Sequence, residues 1–267
     1  MLRRIFSKQN RALLAELVRT DFKLRYQGSV LGYAWSLLRP LLMFVILYVV
    51  FVDFLKIGNG IPHYPIYLLL GIVIWNFFTE ITMQSTTAIV GRGDLIRKIR
   101  IPRWMIIFAT SLSALINLGL NAVVVIAFMI INHVPALATA PLVIPILIEI
   151  YIFSLGVSLF LSSLFVKFRD VSYIWEVFLQ AGFYITPILY PLSKITNVTL
   201  QKFIMLSPMA QTIQDLRYSA ITHTSVTVYT IYNSKIYMAV PFIIVVIVFV
   251  GGLLYFKRES KYFAENI

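Results

Sequence analysis

Long apolar runs, separated by short polar connections, dominate the chain from residue 35 to residue 256. A membrane-spanning helix needs about 20 mainly apolar residues. That length predicts a first span over 35–54, a second over 64–88, a fifth over 172–192 and a sixth over 236–256. The pattern therefore indicates an all-α integral membrane protein with most of its helices inside the bilayer.

The third and fourth spans come from one stretch without a charged residue, Trp104 to Ile148, which is too long to cross the membrane once. Its polar and proline residues divide it in two, at Asn132, His133, Pro135 and Pro141. The fourth span then ends near Lys167. The sequence thus predicts six transmembrane helices.

Residues outside the spans are too few for a soluble domain. We expect residues 1–34 to form an amphipathic helix at the membrane interface. Between the fifth and sixth spans, 194–206 and 208–221 have the length of short helices but are not apolar enough to span. They are predicted to lie on the outer surface or to dip into it. One transmembrane domain then covers 1–267, with the six-span bundle at 35–256 and a tail at 257–267.

Basic residues are distributed unevenly between the two sides of these spans. The two terminal segments and the connections on their side hold eighteen Lys and Arg residues together, and the alternate connections hold five. Because basic loops are retained in the cytoplasm, both termini are predicted to be cytoplasmic. The same rule explains the net charge of +12 without a nucleic acid partner.

Signatures of catalysis are missing from the sequence. The chain has no cysteine, and its three histidines are scattered, so neither a thiol site nor an intramembrane zinc site is predicted. It contains no phosphate-binding Gly-Lys-Ser/Thr loop and no Gly-x-Ser-x-Gly nucleophile. We therefore predict no metal and no cofactor, and a chain that is not an enzyme. Energy for transport against a gradient has to come from another chain.

Two charges interrupt the apolar side of the amino-terminal helix. Asp21 and Arg25 stand four residues apart, with the acid first. One interpretation is an ordinary pair on one helix, which contributes a few tenths of a kcal/mol. The other is a cationic site at headgroup depth for the phosphate of an anionic lipid.

The connection at 91–103 carries five basic residues interleaved with isoleucine and leucine. A positive cluster that fixes membrane topology accounts for the charges. The apolar residues at 95, 96 and 99 have helical spacing, however, and leave one face with no membrane to bury it. A soluble partner that docks on this connection would cover that face.

Polar and aromatic residues also occur at membrane depth. The three carboxylates there are Glu80, Glu149 and Glu176. Without a buried base to pair with, a structural hydrogen-bonding role between helices is favoured over proton coupling. Six aromatic residues fall too far inside the spans for an interface belt alone, and either pack in the core or stack on sugar rings: Trp75, Phe77, Phe78, Phe183, Tyr184 and Tyr190.

Several short motifs, in a fixed order along nearly the whole chain, carry a family resemblance. They are Asp21 to Gly32 with Trp35 and Pro40, Trp75 to Phe78 with Glu80, Phe168 to Val171, Thr186 to Pro191, and Ser207-Pro208 with Arg217. The chain resembles the permease subunits of bacterial ATP-binding-cassette exporters for O-antigen, capsular polysaccharide or teichoic acid. Ser207 departs from the asparagine that is usual before that proline.

The resemblance implies a function and a set of roles. The chain would form a homodimer in the bacterial cytoplasmic membrane, pair with two ATPase subunits that bind ATP and Mg, and export a lipid-linked polymer. A gate for the lipid pyrophosphate is expected at Lys23, Arg25, Tyr26, Leu31, Gly32, Tyr33 and Arg39. A coupling helix that docks on the ATPase is expected at Asp94, Leu95, Ile96, Arg97, Lys98 and Ile99. The six membrane-depth aromatics would partly line the channel.

Two other functions compete with polymer export. A drug or lipid efflux permease of the same fold would have a smooth apolar cavity with no need of aromatic stacking. An integral membrane acyltransferase would need a nucleophile or an acid–base pair at interface depth, and the sequence offers neither convincingly.

Overall fold

A computed structural model describes residues 8–26, 28–58, 60–98 and 101–263. Within these ranges it describes the side chains of all residues except 8, 9, 24–26, 33, 95, 97, 98 and 235. All regular structure in this part of the chain is helical. The helices are α1 (Lys8–Tyr26), α2 (Trp35–Tyr48), α3 (Tyr64–Gly91), α4 (Gly93–Lys98), α5 (Trp104–Ile131), α6 (Val143–Lys167), α7 (Val171–Ile185), α8 (Val198–Met205), α9 (Pro208–Ala220), α10 (Val228–Tyr232) and α11 (Lys235–Glu259).

Five helical segments are long and apolar enough to cross a membrane, which confirms the predicted all-α, multi-pass membrane protein. They are Trp35–Phe54, Tyr64–Gly91, Trp104–Ile131, Ala140–Lys167 and Ile236–Glu259. The first of these is α2 extended by π-helical turns over Val49–Phe54. These segments match the predicted first to fourth and sixth spans to within a few residues.

The predicted fifth span differs from the structure. Its helix, α7, has 15 residues and ends at Ile185 instead of continuing to residue 192. Thr186 adopts an extended conformation because it precedes Pro187, and the residue before a proline is disfavoured in a helix. The chain from Thr186 to Leu189 is nevertheless buried. This non-helical segment therefore lies inside the protein.

Helix α3 is the centre of the bundle. It packs against α2, α5, α6, α7 and α9, and seventeen of its 28 residues are buried. Its apolar residues surround the helix, as expected for a fully enclosed element. Hydroxyls that face the core bond to their own helix: Thr82 donates to the Phe78 carbonyl oxygen at 2.8 Å and Thr86 to that of Thr82 at 2.7 Å.

Two glycines allow α6 and α11 to cross closely. A Cβ atom on Gly252 would lie 2.2 Å from the carbonyl oxygen of Gly156, and one on Gly156 would lie 2.6 Å from Cα of Phe249. Small residues at a crossing let membrane helices bring their backbones into contact. This packing ties the last span to the rest of the bundle.

The four segments that the charge pattern assigns to the cytoplasm meet at one end of the bundle. Asp21 of α1 forms an ion pair with Arg92, at the end of α3. Arg103 donates to the carbonyl oxygen of Ser260, after α11. Lys167, at the end of α6, pairs with Glu259 at 2.6 Å. The alternate connections meet elsewhere, where the Thr139 hydroxyl donates to the Ser219 carbonyl oxygen at 3.1 Å.

The two helices predicted between the last spans are present as α8 and α9, and they differ in burial. Helix α8 exposes Phe203 (76%) on its surface. Helix α9 buries ten of its thirteen residues and packs against α3, α6 and α11. Its position fits the alternative in which this segment dips into the protein. The short helix α10 was not predicted.

Candidate functional site

A cleft of about 940 Å³ opens between α2, α3, α5 and α7. We call it the central cleft. It brings together side chains that are far apart in sequence, including the predicted gate residue Arg39 and two of the predicted membrane carboxylates, Glu80 and Glu176. One face of α3 supplies much of the wall because Ile72, Asn76, Glu80 and Met83 recur at helical spacing.

The floor of the central cleft is polar. Asn117 of α5 donates to Glu80 Oε1 at 2.6 Å. Asn121, one turn further along α5, donates to the carbonyl oxygens of Asn117 at 2.8 Å and Ser36 at 3.3 Å. Glu80 thus accepts a hydrogen bond from a neighbouring helix, as a structural hydrogen-bonding role would require. Asn117 Oδ1 and Thr79 Oγ1 have no hydrogen-bond partner among the described residues, although both atoms are buried.

Four of the six predicted aromatic residues line the central cleft: Trp75, Phe77, Phe183 and Tyr184. The rings of Trp75 and Phe183 meet edge to face at 6.1 Å, and those of Phe183 and Tyr184 at 5.4 Å. This aromatic wall depends on Gly182, where a Cβ atom would lie 2.8 Å from Cη2 of Trp75. Gly182 was not predicted from the sequence, because nothing in its neighbours marks a close approach.

The other two aromatic residues lie outside the central cleft. Phe78 stacks on Phe153 with ring centroids 5.7 Å apart, so it belongs to the packed core. Tyr190 donates its hydroxyl to the carbonyl oxygens of Ile185 at 2.9 Å and Tyr184 at 3.1 Å. It therefore holds the end of α7. For these two residues the packing interpretation fits the structure, and the predicted channel position does not.

Among the predicted gate residues whose side chains the structure describes, Arg39 is the one that lines the central cleft. Arg39 is exposed there, beside Trp35. Lys23 and Leu31 are exposed, and Gly28 and Gly32 have φ values of +78° and +50°, which L side chains rarely adopt. The predicted bend at 28–32 is thus present. The side chains of Arg25, Tyr26 and Tyr33 lie outside the described part of the structure.

Asp21 forms an ion pair with Arg92, a partner that the sequence did not suggest. Both side chains are mostly buried, at 16% and 19% exposed. Leu17, one turn earlier on α1, packs on Ile101, Met105 and Ala109 at the start of α5. The amino-terminal helix is therefore docked on the bundle by a hydrophobic contact and an ion pair.

The predicted coupling segment contains a short helix, α4, with Asp94 exposed in its first turn. Ile96 packs against Ile89, Ile106 and Ile107. This residue was expected to face a partner protein, but it lies against the chain's own core instead. The side chains of Leu95, Arg97 and Lys98, and all of Ile99, lie outside the described residues.

Glu149 lies away from the central cleft and is buried, in keeping with a structural role. Gln211 Nε2 of α9 lies 3.5 Å from Glu149 Oε2 and 2.5 Å from Asp215 Oδ2. Glu176 is exposed and lines the central cleft. The two carboxylates thus have different surroundings.

Arg217 of α9 is the main functional candidate that sequence reasoning did not place. Its side chain is fully buried and donates Nε to the Tyr67 carbonyl oxygen at 3.1 Å, Nη1 to that of Pro187 at 2.6 Å and Nη2 to that of Ile188 at 2.8 Å. Burial lowers the pKa of Arg217 to about 10, so it stays protonated at neutral pH. Gly71 makes room for it, since a Cβ there would lie 2.7 Å from Nη2.

Comparison with protein families decides the class of this molecule. The profile of the ABC-2 type transporter family matches residues 12–221, from α1 to the end of α9. The chain belongs to the ABC-2 type transporter family.

Relatives of this ABC-2 chain match it over nearly their whole length. An O-antigen export system permease protein RfbA from Myxococcus xanthus is 28% identical over 261 residues, covering 97% of this chain and 96% of the relative. A protein of the same name from Klebsiella pneumoniae is 29% identical over 257 residues, covering 95% and 94%. These matches confirm the predicted resemblance and the predicted role as a transport permease and not an enzyme. ABC-2 permeases work with separate ATPase subunits.

Proposed function

We propose that this ABC-2 permease exports a lipid-linked cell-surface polysaccharide through the central cleft. The observation that carries the proposal is the composition of that cleft, where an aromatic wall stands opposite a floor of amide and carboxylate groups. The names of the full-length relatives point to the same substrate class, with O-antigen as their cargo. Teichoic acid and capsular polymers share the chemistry that the cleft would recognise.

The two halves of the cleft suit the two parts of a glycan. Sugar rings present a flat C–H face, which packs on the rings of Trp75, Phe183 and Tyr184. Their hydroxyls need acceptors and donors, which the accessible side chains of Asn76, Glu176 and Gln180 along the cleft can supply. Arg39, exposed at the same cleft, supplies a positive charge for the phosphate of a lipid carrier. A drug exporter needs no such polar floor.

Six crossings with both termini in the cytoplasm fit the connectivity. Helix α7 starts beside the end of α6, where Lys167 contacts Glu259. The segment after α7 reaches the start of α3, where the Tyr64 hydroxyl donates to the Leu189 carbonyl oxygen. The fifteen helical residues of α7 cover about 22 Å, and the turn at 186–189 continues the chain from there. Arg217 binds the carbonyls where the helix is interrupted, as a break at membrane depth requires.

A second copy would complete the path. The central cleft is open between α2 and α7, and both helices also expose apolar side chains, among them Leu42, Val45 and Ile46 of α2 and Ile174, Val177 and Phe178 of α7. Pairing two copies across these helices would bury that surface and enclose a channel from two clefts. We therefore propose a homodimer with two ATPase subunits, which bind ATP and Mg, while this chain has no cofactor of its own.

ATP-driven movement would reach the gate through the end of the bundle that carries α4. The ATPase would dock on 91–103, next to Arg92. Since Arg92 pairs with Asp21 of α1, a shift of this connection would be transmitted to the amino-terminal helix and its bend at 28–32.

The test is export in a strain that lacks the chromosomal copy and carries the parent or a variant. Trp75→Ala and Arg39→Ala should lose surface polysaccharide and accumulate lipid-linked glycan inside. The control is Phe160→Ala, an exposed aromatic of α6 that does not line the cleft. Normal surface polysaccharide after complete deletion of the gene would refute the function. Transport of small amphiphiles by the purified complex, with unchanged surface glycan, would support drug or lipid efflux instead.

A further inference from the structure

A second recess lies beside the amino-terminal helix, and it shares no lining residue with the central cleft. It is an open groove of about 760 Å³ between α1 and α5, and we call it the α1–α5 groove. Its walls are apolar side chains from both helices: Leu14, Val18, Phe22, Leu112, Leu115 and Ile116. Apolar side chains line the recess on both sides, so its occupant needs an apolar part.

Two arginines lie along the α1 side of this groove. Arg11, Ala15 and Arg19 follow each other at intervals of four residues, so they form one row on the helix. The two arginines are about 12 Å apart along the helix axis. The small side chain of Ala15 leaves the space between them open. Both arginines are exposed, and neither pairs with an acidic residue in the part of the chain that the structure describes.

The groove continues onto the bilayer-facing side of α5. Beyond Ile116, which is 46% exposed, Leu120 (40%) and Val123 (65%) follow at helical spacing on the same flank. Helix α5 has 28 residues and is about 42 Å long, so it exceeds a hydrocarbon core of about 30 Å and reaches headgroup depth. The recess thus joins a cationic rim to a continuous apolar track.

We propose that the α1–α5 groove binds an anionic phospholipid, with its phosphate at Arg11 and Arg19 and its acyl chains along α5. Basic recesses between membrane helices on the cytoplasmic side are suited to acidic headgroups. A free phosphate would leave the apolar walls uncovered, and a zwitterionic lipid would leave the two positive charges uncompensated. The lipid holds α1 on α5 by filling the groove beside the Leu17 contact, against which Leu14 and Val18 also pack. This site does not depend on which substrate the permease exports.

The experiment is lipid titration of the purified full-length protein by native mass spectrometry, with phosphatidylglycerol and phosphatidylcholine as probes. Each arginine near a membrane surface contributes about 1 kcal/mol to binding an acidic lipid, so Arg11→Ala with Arg19→Ala should weaken retention of phosphatidylglycerol roughly 30-fold. Phosphatidylcholine should bind weakly both to the parent protein and to the arginine double variant. A charge-matched control is Lys257→Ala with Lys261→Ala, two exposed basic residues at the end of α11 outside the groove.

A second variant tests the groove itself without a change of charge. Ala15→Trp should fill the space and displace phosphatidylglycerol, whereas Ala12→Trp, on an exposed position of the same helix outside the groove, should not. Thermal unfolding confirms that each variant is folded. Equal phosphatidylglycerol binding by the arginine double variant and its lysine control would overturn the proposal. So would equal affinity for both lipids, or displacement by millimolar inorganic phosphate, which would assign the arginines to a free anion.

Discussion

The guanidinium of Arg217 lies over the ring of Tyr67, with Cζ 3.4 Å from the ring centroid, and its Nε donates to the carbonyl oxygen of the same residue. One fully buried cation therefore binds α3 through both the ring and the backbone of Tyr67. Its other nitrogens bind the chain just after α7. Since that chain has left the helix, its carbonyls need donors, and a planar fork with several N–H groups supplies them at once.

Replacement of Arg217 by lysine should destabilise the protein although the charge is kept. An ammonium group is a single point donor and cannot reach the carbonyls of Tyr67, Pro187 and Ile188 together. Loss of one or two charge-assisted hydrogen bonds is expected to cost about 3 kcal/mol. The measurement is thermal unfolding in detergent. Arg169→Lys is the control, because Arg169 is exposed and its guanidinium lies over the ring of Phe165, 5.2 Å from the ring centroid. Equal unfolding temperatures for both variants would contradict this prediction.

The Asp21–Arg92 ion pair should be needed for coupling between ATP hydrolysis and export. Arg92→Ala leaves a mostly buried carboxylate without its partner, which should loosen α1 and lower export while the ATPase partner still binds. The exchanged double variant Asp21→Arg with Arg92→Asp should recover part of the activity, because the pair is restored in reverse. Export and ATP hydrolysis are measured on the same preparations.

Glu16→Gln is a suitable control for the ion-pair variants, since Glu16 is exposed on the same helix. A cross-link reports the position of α1 directly. The chain has no native cysteine, so Leu17→Cys with Met105→Cys introduces a single possible disulfide at a contact seen in the structure. The cross-linking yield should fall in Arg92→Ala. An unchanged yield together with normal export would show that the ion pair is dispensable.

Features of the fold that depend on composition could be predicted from the sequence, whereas features that depend on tertiary contacts could not. Apolar length was enough to locate α2, α3, α5, α6 and α11, because a spanning helix must satisfy its own backbone. The predicted helix continued past the end of α7, because 186–191 is apolar as well. The chain leaves the helix there because of Pro187 and because of a donor thirty residues away, Arg217.

The candidate site was predictable only in part for the same reason. Helical spacing and residue type pointed to Trp75, Phe183 and Glu80, but they could not separate a ring that lines a cleft from one that packs, such as Phe78. The ion pair of Asp21 with Arg92 likewise depends on how α1 folds back on the bundle. The sequence left open whether α9 lies on the surface or dips into it, because the buried partners of its polar residues lie far away in sequence.

Gly252 should be far less tolerant of a side chain than its neighbour Gly251. A Cβ at Gly252 would meet the Gly156 carbonyl oxygen at 2.2 Å, whereas nothing lies within 4 Å of a Cβ at Gly251. Gly252→Ala should therefore force α6 and α11 apart and lower the unfolding temperature, while Gly251→Ala should leave it unchanged or slightly raised, because alanine favours a helix by about 1 kcal/mol. Both variants are compared by thermal unfolding in the same detergent. An equal response at the two positions would contradict the close crossing.

Asp215→Asn should stabilise the protein at neutral pH, and the gain should disappear in acid. Burial raises the pKa of Asp215 from its usual value to about 6, and the hydrogen bond from Gln211 only partly opposes this. A raised pKa means that the folded state binds the proton more tightly than the unfolded state, so ionisation above pH 6 costs stability. Asparagine keeps an oxygen for Gln211 without the charge.

The unfolding temperature of the variant should exceed that of the parent at pH 7.5, and the difference should shrink between pH 6 and pH 4. The exposed Asp53→Asn is the control, and a variant that is less stable at pH 7.5 would show that the ionised carboxylate is required.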